Sequence, residues 1–350
     1  MGNECGNADA LILDNYIPAD GDYIVVKKDG SVVRCSIKMD KKAGRPVKDL
    51  SDGDSQYEDI VFYDYHSRLV SMDKPQDPKK VIHSNNYLSF WIKKESLTNG
   101  KLNMEGIDRY FDILSNPRVK YKNAKDSKMY DYIFPVVGEV NQEKLEQCRN
   151  WIKQHIFNMQ DFGIDISGKN YLKVFFEDDR DLYINEEKRY LMTKIYNKND
   201  YNIDIDEQIY GLPNDNLALN SKKPYMEHKT RKNVVPYLIT PEEAATQRKF
   251  FDYLMNEANH GYTNIFFDSD EDEIIPKKPG EFITEDFSGF LIQIQKGKEE
   301  LFIQHQDTIV DYKYNLYKHF QYRDVIGSAR DEDVYKEYVN KKQMLAVLDE

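Results

Sequence analysis

The sequence predicts a mixed α+β fold, largely antiparallel hairpins with a few packed helices, and three observations carry that expectation. β-branched runs face each other across short turns, as at Asp29-Gly30 and at Lys296-Gly297-Lys298. Two segments, near 142–159 and 240–259, repeat apolar residues at helical spacing. Aromatic residues make up 13% of the chain, with 26 Tyr and 17 Phe, so core-forming material is plentiful although 31% of residues are charged. The 350 residues are enough for one large or two ordinary domains. We expect a β-rich part over 1–140, an α+β part over 141–330 that carries a central basic loop, and a charged helical tail over 331–350; one domain running across residue 140 fits as well.

In chain order, Leu11 to Ile37 is expected as strands around turns, with Asp22–Lys27 and Ser31–Ile37 paired across Asp29-Gly30. An exposed connection follows over Lys38–Gln56, and Ile60–His66 returns as a strand. Pro75 and Pro78 keep the next segment extended. Ile107–Leu114 is helical and stops before Pro117, and a helix over about Gln142–Met159 buries Leu145, Cys148, Ile152 and Ile156. Tyr171–Phe176 and Tyr190–Tyr196 are expected strands around an acidic turn over Glu177–Glu187. Thr240-Pro241-Glu242-Glu243 is a capping box with Pro at the first helical position. Its helix should reach Asn259, end at Gly261, and bury Phe250, Phe251, Leu254 and Met255. Asn264–Phe267 is a strand, and Phe290–Gln295 with Leu301–Gln306 is a hairpin.

Composition excludes several classes. The formal net charge is -12, so nucleic-acid contact requires a local basic patch, and a strongly basic free-standing DNA binder is excluded. Cys5, Cys35 and Cys148 are odd in number and widely spaced, which suggests neither a disulfide framework nor a zinc knuckle, and fits a reducing cytoplasm. No apolar run approaches the roughly 18 residues of a membrane span, and the N-terminus lacks a signal-peptide pattern, so a soluble cytoplasmic chain is expected with no membrane partner. A phosphate-binding glycine loop, a nucleophile elbow, paired histidines at metal spacing and Cys-x-x-Cys are all missing. The acid run Asp268-Ser269-Asp270-Glu271-Asp272-Glu273 begins like a calcium loop. Its sixth position is Glu273 where glycine is needed, and its twelfth is Pro279 where glutamate is needed. The sequence therefore nominates no catalytic residue, no metal ligand and no cofactor.

The departure from the chain's acidic average lies in the loop after Tyr210. Gly211-Leu212-Pro213-Asn214-Asp215 is a turn by composition. Within 222–232, Lys222, Lys223, Lys229, Arg231 and Lys232 face the single acid Glu227. Carboxamides offer a donor and an acceptor side by side to base edges, and lysines and arginines neutralise phosphates. On that chemistry Asn214, Asn216 and Asn220 are candidate base or sugar contacts, and Lys222, Lys223, Lys229, Arg231 and Lys80 candidate phosphate contacts. In the second basic segment, Asn85 and Asn86 beside Ser84 are candidate phosphate or sugar contacts, and Tyr87 or Trp91 offers a stacking face. The plainer alternative makes the loop a solvated surface, the aromatics core, and His83 a hydrogen-bonded structural histidine.

That loop, YGLPNDNLALNSKKPY over 210–225, belongs with four other stretches: LILDNYIPADG over 11–21, MDKPQDPKKVIHSNNYLSFW over 72–91, NDYN over 199–202 and PYLITPEEA over 236–244. In order and wording they resemble the large subunit of type I-B CRISPR effector complexes, the Cascade surveillance assemblies. The resemblance implies a non-catalytic subunit for antiviral defence that sits beside the 5′ end of the guide CRISPR RNA and binds target double-stranded DNA. It would recognise the short flanking motif, the PAM, while base pairing with the guide reads sequence, a division of labour known for a different RNA-guided system. The implied partners are the guide RNA, the target DNA, the other Cascade subunits and a recruited CRISPR helicase-nuclease that performs cleavage. Members of that family continue into a further helical region whereas this chain ends at Glu350, so a shortened version is expected. Two readings from other classes stand beside it: a metal-dependent nuclease using Asp268, Asp270 and Asp272, and a scaffold that touches only protein subunits.

Overall fold

The computed structural model describes residues 8–40, 45–50, 54–70, 74–214, 237–297, 301–322 and 336–348, together with Thr230 and Val235. The chain is a mixed α+β protein with mostly antiparallel sheets, in two compact units, Met1–Tyr253 and Leu254–Glu350.

The first unit is built on a five-stranded sheet in the order β3-β2-β1-β5-β4. Its strands are β1 (Gly21–Val26), β2 (Val32–Asp40), β3 (Arg45–Lys48), β4 (Ser89–Lys93) and β5 (Tyr171–Phe176). The Asp29-Gly30 turn joins β1 to β2 as expected, with Gly30 at φ +84°. β1 then pairs in parallel with β5, from Gly21 opposite Tyr171 to Val26 opposite Phe176. The sheet thus draws strands from both sides of residue 140, and one unit runs through the expected boundary.

Both central strands are buried on both faces, because helices cover them. In chain order the first eight helices are α1 (Ala8–Asn15), α2 (Ser55–His66), α3 (Glu95–Thr98), α4 (Met104–Ser115), α5 (Pro117–Lys120), α6 (Ala124–Val137), α7 (Gln142–His155) and α8 (Arg180–Leu191), of which α2, α4, α7 and α8 bury residues in the core around these strands. The main core joins Tyr23, Val25, Val174 and Phe175 of the sheet to Phe111 of α4, Ile152 of α7 and Tyr183 of α8. Four of these helices start on a polar side chain that accepts a first-turn amide: Asp54, Asn103, Asn123 and Asn141.

Several expectations are corrected. Ile60–His66 is the buried end of α2, not a strand; all seven of its residues are buried, so no polar face marks the helical period. Tyr190–Tyr196 is likewise no strand. α8 occupies most of the expected acidic turn, and a 3-10 turn over Met192–Lys194 follows it. Arg45–Lys48 pairs with β2 inside the expected exposed connection, and Ala8–Asn15 is helical. In the Gln142–Met159 segment the α-helix ends at His155 and a 3-10 helix covers Ile156–Phe162; Cys148 is buried as expected, its thiol pushed up to about 12 by burial.

Charged groups tie the helices together from inside. Arg189 is fully buried, bonded to Glu186 and donating to the carbonyls of Val137 (3.0 Å) and Gly138 (2.7 Å) at the end of α6, where a cation complements the helix dipole. His66 Nδ1 lies 2.5 Å from Glu187 Oε2, and Arg248 Nη1 lies 3.3 Å from Oε1. Burial alone would raise the Glu187 carboxyl, but His66, Arg248 and Arg68 outweigh it and hold it at about 2. A carboxyl depressed in the folded state contributes stability that is fully present above its unfolded value, 4.5, and is lost as pH falls toward 2. Urea midpoints measured at about pH 5.5 and about pH 2.5 should therefore fall less for Glu187→Gln than for the wild type, and equal falls would remove this pair from the acid limb.

The short hairpin of β6 (Ile203–Ile205) and β7 (Gln208–Tyr210) turns on Asp206 and Glu207, both at positive φ. Helix α9 (Pro241–Asn259) opens on the expected capping box: Thr240 N donates to Glu243 Oε2 (2.8 Å) and Glu243 N to Thr240 Oγ1 (3.2 Å). It ends before Gly261 at φ +86°, with Leu254 buried and Phe250, Phe251 and Met255 half-buried.

The second unit holds a four-stranded antiparallel sheet, β11-β10-β8-β9, from β8 (Asn264–Asp268), β9 (Ile274–Lys277), β10 (Phe287–Lys296) and β11 (Leu301–Tyr312). The expected β10–β11 hairpin is present and longer than its apolar alternation indicates. β12 (Asn315–Tyr322) pairs with β13 (Lys336–Asn340), and α10 (Lys341–Leu348) follows, so the described part of the expected helical tail is a strand followed by a helix.

Candidate nucleic-acid interface

The two basic segments nominated from sequence lie in the first unit. The earlier one is organised by Asp77, whose buried carboxylate accepts the amides of Lys79 (3.1 Å), Val81 (2.8 Å) and Ile82 (3.2 Å). That turn puts Lys80 at φ +56° with its side chain exposed, as a phosphate contact requires. The residues after it face inward. His83 Nε2 donates to the carbonyl of Lys80 (2.9 Å), leaving Nδ1 to accept from the Tyr171 hydroxyl (2.8 Å). Burial lowers the pKa of His83, so the ring is held neutral and structural, as the plainer reading expects.

Asn85 and Asn86 are a correction. Asn85 is 4% exposed and Asn86 0%. Asn85 Nδ2 donates to the carbonyl of Arg68 (2.8 Å), Asn86 Nδ2 donates to Asn85 Oδ1 (2.7 Å), and Asn86 Oδ1 accepts the Leu88 amide (3.0 Å). Their carboxamides satisfy buried backbone that β4 and α2 leave open, so they are internal struts and not nucleic-acid contacts. Tyr87 and Trp91 are buried too, which removes them as stacking faces.

The central loop is described at its two roots. Gly211 is not in a turn: its amide donates to Ile239 O (2.9 Å) and its carbonyl accepts from Ile239 N (3.0 Å). Pro213 bridges to Tyr196, Asn197 N donates to Leu212 O (2.8 Å), and Asn214 N donates to Ile195 O (2.6 Å). The Asn214 side chain is half-buried and donates to Lys194 O (3.2 Å), so its amide nitrogen anchors the departing chain. Asn216, Asn220, Lys222, Lys223, Lys229 and Arg231 lie outside the described residues. What the fold supplies is an exit fixed at Asn214, whose amide bonds Ile195 O, and a return fixed at Ile239, whose main chain pairs with Gly211.

The acid run has a structural role in its own unit. Asp268 is buried and accepts the amides of Asp270 (2.8 Å) and Glu271 (3.1 Å), shaping the β8–β9 turn. Among the described residues no group of three or more His, Cys, Asp or Glu is placed to hold a metal ion. Among the same residues, no helix is long and apolar enough to cross a membrane.

One feature was missed from sequence. Lys120 and Lys194 were not singled out, and with Lys74 they converge on one pocket behind the root at Asn214. The available signal was Lys194 within the apolar run Leu191–Tyr196, since a lysine buried among apolar residues needs a reason to be there. No protein-family model, curated protein or solved structure matches this chain.

Proposed function

We propose that this chain is the large subunit of a type I-B CRISPR Cascade complex, a non-enzymatic component that binds guide RNA and target duplex DNA and recognises the flanking motif. The observation that carries the reading is the clamped root at Gly211, Pro213 and Asn214, directly before a sequence segment rich in lysine and asparagine. A binding loop held at both ends by main-chain bonds loses less conformational freedom when it engages a ligand. Exposed Lys80 offers a further cation on the same unit. The order of the five resembling stretches supports the same reading, and two of them, 199–202 and 236–244, meet the loop at its root: Asn202 lies beside Gly211, and Ile239 pairs with it. In this assembly the flanking motif is read by protein, sequence by the guide, and the recruited helicase-nuclease cuts.

The test is duplex binding by the chain assembled with its backbone subunits and guide RNA, on targets with and without the flanking motif. The Lys222→Ala, Lys223→Ala, Arg231→Ala triple variant should assemble normally, bind the motif-bearing target more weakly, and reduce the slope of log K against log salt by about three, close to one per phosphate contact. Failure of the variant to assemble would favour the protein-only scaffold, and unchanged DNA affinity would remove the loop from the interface.

A further inference from the structure

We propose that the pocket between Lys74, the α5–α6 corner and the Thr193–Asp200 segment binds a phosphate group. The pocket encloses about 410 Å³, within the range of roughly 300–1,000 Å³ usual for small-molecule sites. Three ammonium groups converge on it. Lys194 Nζ donates to Lys74 O (2.6 Å), Lys74 Nζ donates to the carbonyls of Tyr196 and Asn197, and Lys120 Nζ donates to Pro75 O and Gln76 O (both 2.8 Å) and to Gln76 Oε1 (3.0 Å). Their oxygen partners are all neutral, and Lys120 and Lys194 also lie within hydrogen-bond reach of each other; among the described residues none of the three pairs with a carboxylate. Lys198 also faces the pocket, and the opposing carboxylates are Asp126 and Asp200. Asp126 is already engaged, its Oδ1 accepting from Asn199 Nδ2 (2.6 Å) and its Oδ2 from Asn123 Nδ2 (2.5 Å).

Holding like charges together in a concave site opposes folding, and a multivalent anion relieves that repulsion. Burial pushes Lys74 and Lys120 down to about 8 and Lys194 well below the ordinary lysine range, with Lys120 and Lys74 adding to the effect at Lys194. Asp126 pulls Lys74 the other way, and Asp77 does so for Lys120. The N-terminus of α6, capped by Asn123, opens on the same space and adds its positive end. A phosphate seated here takes hydrogen bonds from Lys74 and Lys194, which have donors beyond the carbonyls they already bond, and keeps them protonated, while Lys120, whose three donors are taken, adds charge. This inference deepens the nucleic-acid reading by naming a ligand group, and the chain needs no partner subunit to display it.

The experiment is calorimetric titration of the isolated full chain at pH 7 with inorganic pyrophosphate, a nucleoside 5′-monophosphate and the bare nucleoside, at matched ionic strength. Pyrophosphate, the nucleotide or both should bind and the nucleoside should not; the tighter of the two phosphates identifies a free or a nucleotide-borne group as the natural occupant. Affinity should weaken as pH rises from 7 to 9. Lys194→Met, which keeps the bulk of the side chain, should weaken binding roughly tenfold or more, as loss of a charged hydrogen-bond donor does. Lys74→Met, at the more open side, gives the same readout if the Lys194 variant folds poorly. Absence of phosphate-dependent heat, or binding unchanged in both variants, would overturn the site. Because this assay omits the assembly, its failure leaves motif-dependent DNA binding by the complex to stand or fall separately.

Discussion

Asp64→Asn should lower the stability of the first unit by about 3–5 kcal/mol, the usual consequence of leaving one member of a buried ion pair without its partner. Asp64 is 0% exposed on α2, and its Oδ1 lies 2.5 Å from Lys173 Nζ on β5. Its Oδ2 accepts the Tyr16 hydroxyl at 2.7 Å. Lys173 is 3% exposed, with its ammonium 3.9 Å from the centre of the Trp91 ring and 5.1 Å from that of Tyr23. Burial already lowers the Lys173 pKa against the opposing pull of Asp64, so removing the carboxylate leaves an ammonium that must lose its proton or draw in water. The double variant Asp64→Leu, Lys173→Met removes both charges and should recover much of the loss. Urea unfolding followed by tryptophan fluorescence is a direct monitor, since Trp91 touches the pair. Losses that simply add in the double variant would show that the two groups do not depend on each other.

The same ion pair shows why part of the fold was legible in sequence and part was not. Where elements announce themselves locally, sequence reading succeeds: Asp29-Gly30 closes a hairpin, Thr240 and Glu243 cap a helix, and β10 and β11 alternate apolar with polar side chains. Each signal lies within a few residues and needs no knowledge of what packs against it. Ile60–His66 and Tyr190–Tyr196 gave the opposite result. Their β-branched and aromatic residues favour strands in isolation, yet both segments lie at the buried ends of helices, and tertiary packing overrides a propensity of a few tenths of a kcal/mol per residue. The parallel pairing of β1 with β5 joins segments about 150 residues apart, and no local pattern encodes it.

The candidate site divides along the same line. Asn85 and Asn86 look like surface carboxamides because asparagine usually is exposed, but here each completes backbone hydrogen bonding in a buried turn. Lys80 and Asn214 kept their places near the surface, although the Asn214 amide nitrogen is committed to Lys194 O. Lys74, Lys120 and Lys194 are spread over 121 positions of sequence and meet only after α5, α6 and the Thr193–Asp200 segment pack, so the pocket they form has no sequence motif.

Gly211→Ala should separate the placement of the basic loop from its charge. A Cβ at Gly211 would lie 2.5 Å from Cγ and Cδ2 of Tyr196 and 2.6 Å from Asn202 Oδ1. The Tyr196 ring is 1% exposed and its hydroxyl donates to Ile239 O (2.8 Å), so it has little room to yield. The added methyl must push apart the segments bridged at Gly211 with Ile239 and at Pro213 with Tyr196. Overpacking of this kind is expected to cost about 1–3 kcal/mol, measurable in the same urea assay. Its effect on binding should be larger than that loss implies, because both ends of the loop are set by the two bridges while every lysine and arginine remains. In the assembled complex the variant should bind motif-bearing DNA more weakly yet retain the wild-type salt slope, whereas the triple cation variant reduces that slope. A Gly211→Ala protein that is destabilised but binds DNA as the wild type does would mean that the clamp serves stability alone and that the loop finds its ligand without it.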